Sequence, residues 1–102
     1  MKTFIVDIDG TICNNTGGEY EQATPIQERI DFFNDLYDKG HTIIYWTARG
    51  GSTGKDWTQL THQQLNTWNV KHHEIRMNKP SYDFWIDDKA YNADFLFYGK
   101  YF

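Results

Sequence analysis

The sequence holds one cysteine, Cys13, in 102 residues. A single thiol excludes an internal disulfide framework and suits a reducing compartment, so a cytoplasmic location is expected. No apolar run approaches the ~20 residues that span a bilayer. The first residues pass directly into a β-branched run rather than a signal peptide, so no membrane partner is expected. Basic residues are scarce and scattered: 10 Lys and Arg stand against 14 Asp and Glu, for a net charge of -4. The lack of a basic cluster argues against nucleic acid, where such a face supplies most of the affinity. It does not argue against a phosphorylated substrate, because a bound cation reverses the local sign. Internal repeats and low-complexity segments are also missing.

What is present fits one small domain over 1–102. Apolar content of 39% and charged content of 24% exclude a disordered or fibrous chain. Aromatic content is high at 18%, so Trp, Tyr and Phe must form much of the core, and some are left to form a partner surface.

Phe4-Ile5-Val6 reads as a strand buried on both faces, and it ends abruptly in Asp7-Ile8-Asp9-Gly10-Thr11. Two carboxylates at the end of a buried strand are costly unless a cation or hydrogen bonds compensate. Positions two apart on a strand point the same way, so Asp7 and Asp9 address one point. A polar Gly/Asn loop follows, carrying Tyr20. Thr24-Pro25-Ile26-Gln27 predicts a helix over 25–39, with Thr24 as N-cap, Gln27 completing a capping box and Gly40 as the stop. Residues 41–47 form a second buried strand ending in Thr47, followed by Ala48-Arg49-Gly50-Gly51. Thr61 and Gln64 are expected to cap a second helix that ends at Asn69, with Leu65 and Trp68 facing the sheet. A short third strand is expected at about 74–77. Tyr82-Asp83-Phe84-Trp85-Ile86 reads as a fourth strand, again ending in carboxylates, Asp87-Asp88. The aromatic segment 89–102 fits a short helix or an edge strand, and the latter would make a fifth. It also predicts a homo-oligomer that buries it.

Strands alternating with helices imply an α/β domain with an open parallel sheet, whose ligands bind beyond the carboxyl ends of the strands. Asp7, Asp9, Thr47, Lys79, Asp87 and Asp88 are all expected at that edge. Four converging carboxylates raise one another's pKa, and a hard cation such as Mg²⁺ removes the conflict. Lys79 and the Thr47 hydroxyl remain as donors for an anion. Together these groups point to phosphoryl chemistry.

The ordered set Asp7-Ile8-Asp9-Gly10-Thr11, Thr47, Lys79 and Asp87-Asp88 resembles the four motifs of the haloacid dehalogenase superfamily of phosphohydrolases, over 4–88. The resemblance implies a minimal Rossmann-like three-layer sandwich around a four-stranded parallel sheet. It makes Asp7 the nucleophile that forms an aspartyl-phosphate, and Asp9 the general acid and base. Thr47 and Lys79, with Ala48 and Arg49 in the adjoining loop, would hold the phosphoryl group. Asp7, Asp9, Asp87 and Asp88 would provide the Mg²⁺ site. Neither interval between motifs has room for a cap domain, so the site is expected to be open, with Tyr20 and Trp57 beside it. Trp46-Thr47-Ala48-Arg49-Gly50 and Ile86-Asp87-Asp88-Lys89-Ala90 also resemble small hydrolases of capsular polysaccharide biosynthesis. That makes a sugar phosphate the leading substrate class, ahead of other small phosphorylated metabolites and of nucleotide or polynucleotide ends.

Plainer readings apply to single residues. Asp-x-Asp-Gly alone is a turn or a calcium-type loop. Arg49 fits a substrate contact and a solvated loop charge equally. His62, His72 and His73 lack metal-ligand spacing. Cys13 has no histidine placed to activate it. Residues 50–55 fail as a phosphate loop, because Arg49 stands at the required first Gly and Asp56 follows Lys55. A receiver domain uses similar residues in a different order, and a non-catalytic binding module would usually have lost a carboxylate.

Overall fold

A computed structural model describes residues 1–51 and 54–99. Strand β1 (Thr3–Val6) pairs in parallel with β2 (Thr42–Trp46), and β2 pairs in parallel with β3 (Glu74–Arg76), in the order β1-β2-β3. Helix α1 (Gln27–Asp38) joins β1 to β2, α2 (Thr58–Thr67) joins β2 to β3, and α3 (Ala93–Gly99) follows. The register sets Phe4 beside Ile43 and Val6 beside Tyr45, with Ile75 next to Tyr45. These side chains share a core with Ile30 and Phe33 of α1 and Leu65 of α2. Both helices therefore lie on one face, as two right-handed crossovers stepping in one direction require.

The expected helices are present with different starts. α1 begins at Gln27, with Ile26 as an N-cap that makes no side-chain bond. Pro25 is instead drawn into an antiparallel bridge with Cys13, and the Ile26 amide donates to the Ile12 carbonyl at 2.8 Å. Gly40, at φ 96°, ends α1: the His41 amide donates to Leu36 O and the Gly40 amide to Tyr37 O. α2 begins at Thr58, whose amide donates to Asp56 Oδ1 at 2.9 Å. It closes through Asn69, at φ 56°. Thr61 and Gln64 are thus interior helix residues rather than a cap pair.

The four-stranded, three-layer expectation is met only in part. Among the described residues the sheet has three strands, and 82–86 is not one of them. Aromatic packing holds that segment beyond the end of β2. Trp85 lies edge-on to Trp46 at 6.1 Å and to Tyr82 at 5.0 Å, and Lys79 Nζ sits 5.3 Å from the Tyr82 ring. Among the described residues the outer edge of β1 is unpaired, and Ile5, Phe84 and Ile86 are 57%, 86% and 95% exposed.

The open question of the C-terminal segment resolves as a helix. Phe97 packs edge-on against Phe32 and Phe33, and Leu96 is buried. The Arg29 guanidinium lies 4.7 Å from the Phe97 ring and pairs with Asp94 at 2.9 Å. Tyr101 and Phe102, read with this segment above, lie outside the described residues.

Candidate active site

The parallel register brings the ends of β1 and β2 to one edge. The ladder runs on past them: the Thr47 amide donates to Arg76 O, and the Lys79 amide donates to Thr47 O, both at 2.9 Å. Asn78, at φ 62°, turns the chain between these contacts. Lys79 Nζ thereby reaches Asp7 Oδ1 at 3.6 Å. Thr11 Oγ1 donates to the other Asp7 oxygen at 3.3 Å. Gly10, at φ 84°, makes the tight turn; a Cβ there would lie 2.8 Å from the Asn15 side chain. Burial raises the Asp7 carboxyl above its ordinary value, opposed by Lys79, the Ile8 amide and Thr11. The result is a partly desolvated carboxylate at a strand end, still 36% exposed at its side chain and faced by one ammonium.

Asp9 has a different environment. Arg49 Nε donates to its Oδ2 and Nη2 to its Oδ1, each at 2.9 Å. The Arg49 side chain is 0% exposed. Its Nη1 donates to Thr61 Oγ1 at 3.2 Å and Gln64 Oε1 at 2.6 Å, and the Tyr20 ring lies 4.8 Å from the guanidinium carbon. Arg49 is therefore neither a solvated loop charge nor an exposed anion donor; its guanidinium is occupied by protein partners. The Arg49 amide donates to Thr47 Oγ1 at 3.1 Å, tying this network to the Lys79 side of the site. Ala48, between them, accepts a turn bond from the Gly51 amide. Cys13 is buried 3.5 Å from Asp9 Oδ1.

Tyr20 and Trp57 do meet, with ring centroids 5.0 Å apart, and Lys55 Nζ lies 4.3 Å from the Trp57 ring. Thr61 and Gln64 are the site residues that sequence reasoning missed. Their three-residue spacing on one helix face was the available signal, and a capping box uses the same spacing.

Asp87 and Asp88 are exposed, and Asp87 accepts from the Lys89 amide at 3.1 Å. That bond is the leading cause of a lowered Asp87 carboxyl pKa. Among the described residues no three His, Cys, Asp or Glu side chains come together as a metal site. With Asp9 bound to Arg49 and the 87–88 pair elsewhere, the carboxylates as placed do not fit Mg²⁺.

A crystal structure of an MCSG target from Vibrio cholerae is similar to this chain, with a TM-score of 0.80 and 30% identity over 92% of this chain and 85% of that one. No family model matches the sequence, and no curated protein matches it.

Proposed function

We propose that this protein is a phosphomonoesterase of the haloacid dehalogenase type, acting through Asp7. The observation that carries the reading is the Asp7–Lys79 pair at 3.6 Å, at the sheet edge where Thr47 directly follows β2. An Asp7 oxygen attacks phosphorus in line, a new P–O bond forms, and the bond to the leaving oxygen breaks. The leaving oxygen takes a proton from Asp9, which must first turn away from Arg49 and carry a proton, because a carboxylate held on both oxygens by a guanidinium has none to give. In the second half, Asp9 accepts a proton from the water that attacks the aspartyl-phosphate, returning free Asp7 and inorganic phosphate. Lys79 and the Thr47 hydroxyl face the transferred oxygens. A small phosphorylated metabolite, a sugar phosphate first, is the substrate class this reading favours. The Tyr20–Trp57 ring pair supports a second reading in which a nucleobase is held instead.

The four-stranded form belongs to the same proposal. The apolar 82–86 run and the open β1 edge are each exposed, and pairing them buries both. Such pairing would carry Asp87 and Asp88 toward Asp7. A Mg²⁺ requirement is part of the proposal only together with that rearrangement. The attack by Asp7 and the Lys79 contact do not depend on it.

The test is phosphate release from a generic aryl phosphate, with and without chelator, followed by a screen of phosphorylated sugars, nucleotides and polynucleotide ends. Multiple turnovers support the reading. A single phosphorylation without release would instead indicate a receiver-like protein.

A further inference from the structure

Gln64 lies within α2 and is only 9% exposed. Burying an amide is costly unless both ends are hydrogen-bonded, and here both are. Its Oε1 accepts from Arg49 Nη1 at 2.6 Å, and its Nε2 donates to the Tyr20 carbonyl at 2.7 Å. Arginine offers only donors and a carbonyl only accepts, so the partners fix the amide's orientation. A carboxylate in its place would keep the Arg49 contact and lose the Tyr20 contact. An aliphatic side chain would lose both.

The two partners belong to different parts of the site. Arg49 holds both oxygens of Asp9. Tyr20 belongs to the 14–24 loop, whose base is closed by Asn14 N to Thr24 O at 3.1 Å and Thr24 N to Asn14 Oδ1 at 2.8 Å. Beside the Tyr20 turn, the loop meets α2 across an open pocket of about 260 Å³ whose lining includes Glu21, Ala23, Leu60, Gln64 and Trp68. The Gln64–Tyr20 bond is one tie across that junction, beside the contact of the Tyr20 ring with Trp57. The same turn lays the Tyr20 ring over Arg49.

We infer that Gln64 is a positioning residue that couples the seating of the 14–24 loop to the placement of Asp9 through Arg49. The coupling to turnover rests on the phosphatase reading; the coupling of geometry does not. When the loop is seated, the Gln64 amide is held from its nitrogen side and presents its oxygen to Arg49. When the loop lifts, that support is lost and Arg49 can shift on Asp9.

The test uses the full chain with Gln64→Glu and Gln64→Leu, and reads three quantities. Amide hydrogen exchange of residues 14–23 should accelerate roughly five- to tenfold in both variants, the measure of one lost hydrogen bond. The Arg49 Nε–H resonance should stay slowly exchanging in the wild type and in Gln64→Glu, and be lost in Gln64→Leu. On an aryl phosphate, kcat should fall roughly 10- to 100-fold in Gln64→Leu, as for a misplaced catalytic group. In Gln64→Glu, whose charge-assisted bond holds Arg49 without help from the loop, it should fall less than about threefold, with the larger change in KM. Equal loss of kcat in the two variants, or unchanged loop exchange in Gln64→Leu, would overturn the inference. Absence of turnover in the wild type would remove the phosphatase reading alone, and exchange and the Arg49 resonance would still decide the coupling.

Discussion

Arg49 binds Asp9 through both carboxylate oxygens, Nε to Oδ2 and Nη2 to Oδ1, each at 2.9 Å, with no part of the arginine side chain exposed. The pair is the structural hinge between the two halves of the site. Arg49 follows β2 closely, Asp9 follows β1, and α2 supplies the bonds that complete the guanidinium.

Removing Arg49 should therefore damage the fold as well as the site. Arg49→Met strands the Asp9 carboxylate and takes the donor from Thr61 and Gln64, at a cost of ~3–5 kcal/mol. A domain of this size has only about 5–15 kcal/mol to lose. Arg49→Lys keeps the charge but cannot span all three partners, and should fall between. Urea unfolding monitored by circular dichroism reads both values; a loss below about 1 kcal/mol for the Met variant would show the network to be dispensable.

Asp7 predicts the opposite trade. Its carboxyl is raised in the folded state, chiefly by burial. The folded protein then binds the proton more tightly than the unfolded chain does. Stability falls as pH rises from the unfolded value through the folded one, and the penalty is fully present above it. Asp7→Asn should raise the thermal midpoint at neutral pH while abolishing turnover, and the gain should vanish below about pH 4. Thermal scans across pH check the sign; a lower midpoint for the variant at pH 7 would contradict it.

Much of this architecture was legible from the sequence, for identifiable reasons. β2 is buried at Ile43, Ile44 and Tyr45 and reads as one apolar run. α1 and α2 announce their ends through Gly40 and Asn69, which adopt positive φ as expected. Asp7, Thr47 and Lys79 meet because parallel strands must deliver their ends to one edge. The Arg49 network was not legible: a charge after a strand carries no local signal of burial, and Thr61 with Gln64 has the spacing of a cap. The placement of 82–86 was not legible either. An apolar run does not specify which edge it takes, and in this fold Trp46 and Lys79 hold its aromatic residues beyond β2.

That segment gives a sharp test of the four-stranded proposal. Ile86 is 95% exposed, so Ile86→Asp should change stability by no more than about 0.5 kcal/mol if the segment stays where it is. If 82–86 pairs with β1, the same change buries a charge and should cost ~2 kcal/mol or more. The proposal predicts the larger loss, read by thermal unfolding with and without Mg²⁺.

Cys13 should be chemically silent. Burial, then the charge of Asp9, pushes its thiol up to about 12 against the pull of Arg49. A thiol-specific reagent at pH 8 should label it only on unfolding. Labelling of the folded protein at the rate of a free thiol would show that the core around Ile12 and Cys13 opens readily.

The most direct measurement is acid-quenched mass spectrometry of the protein mixed with an excess of aryl phosphate. The account predicts one added phosphoryl group on the peptide containing Asp7, lost with time as phosphate appears, and absent in Asp7→Asn. A phosphoryl group on any other residue, or phosphate release by Asp7→Asn at the wild-type rate, would contradict it.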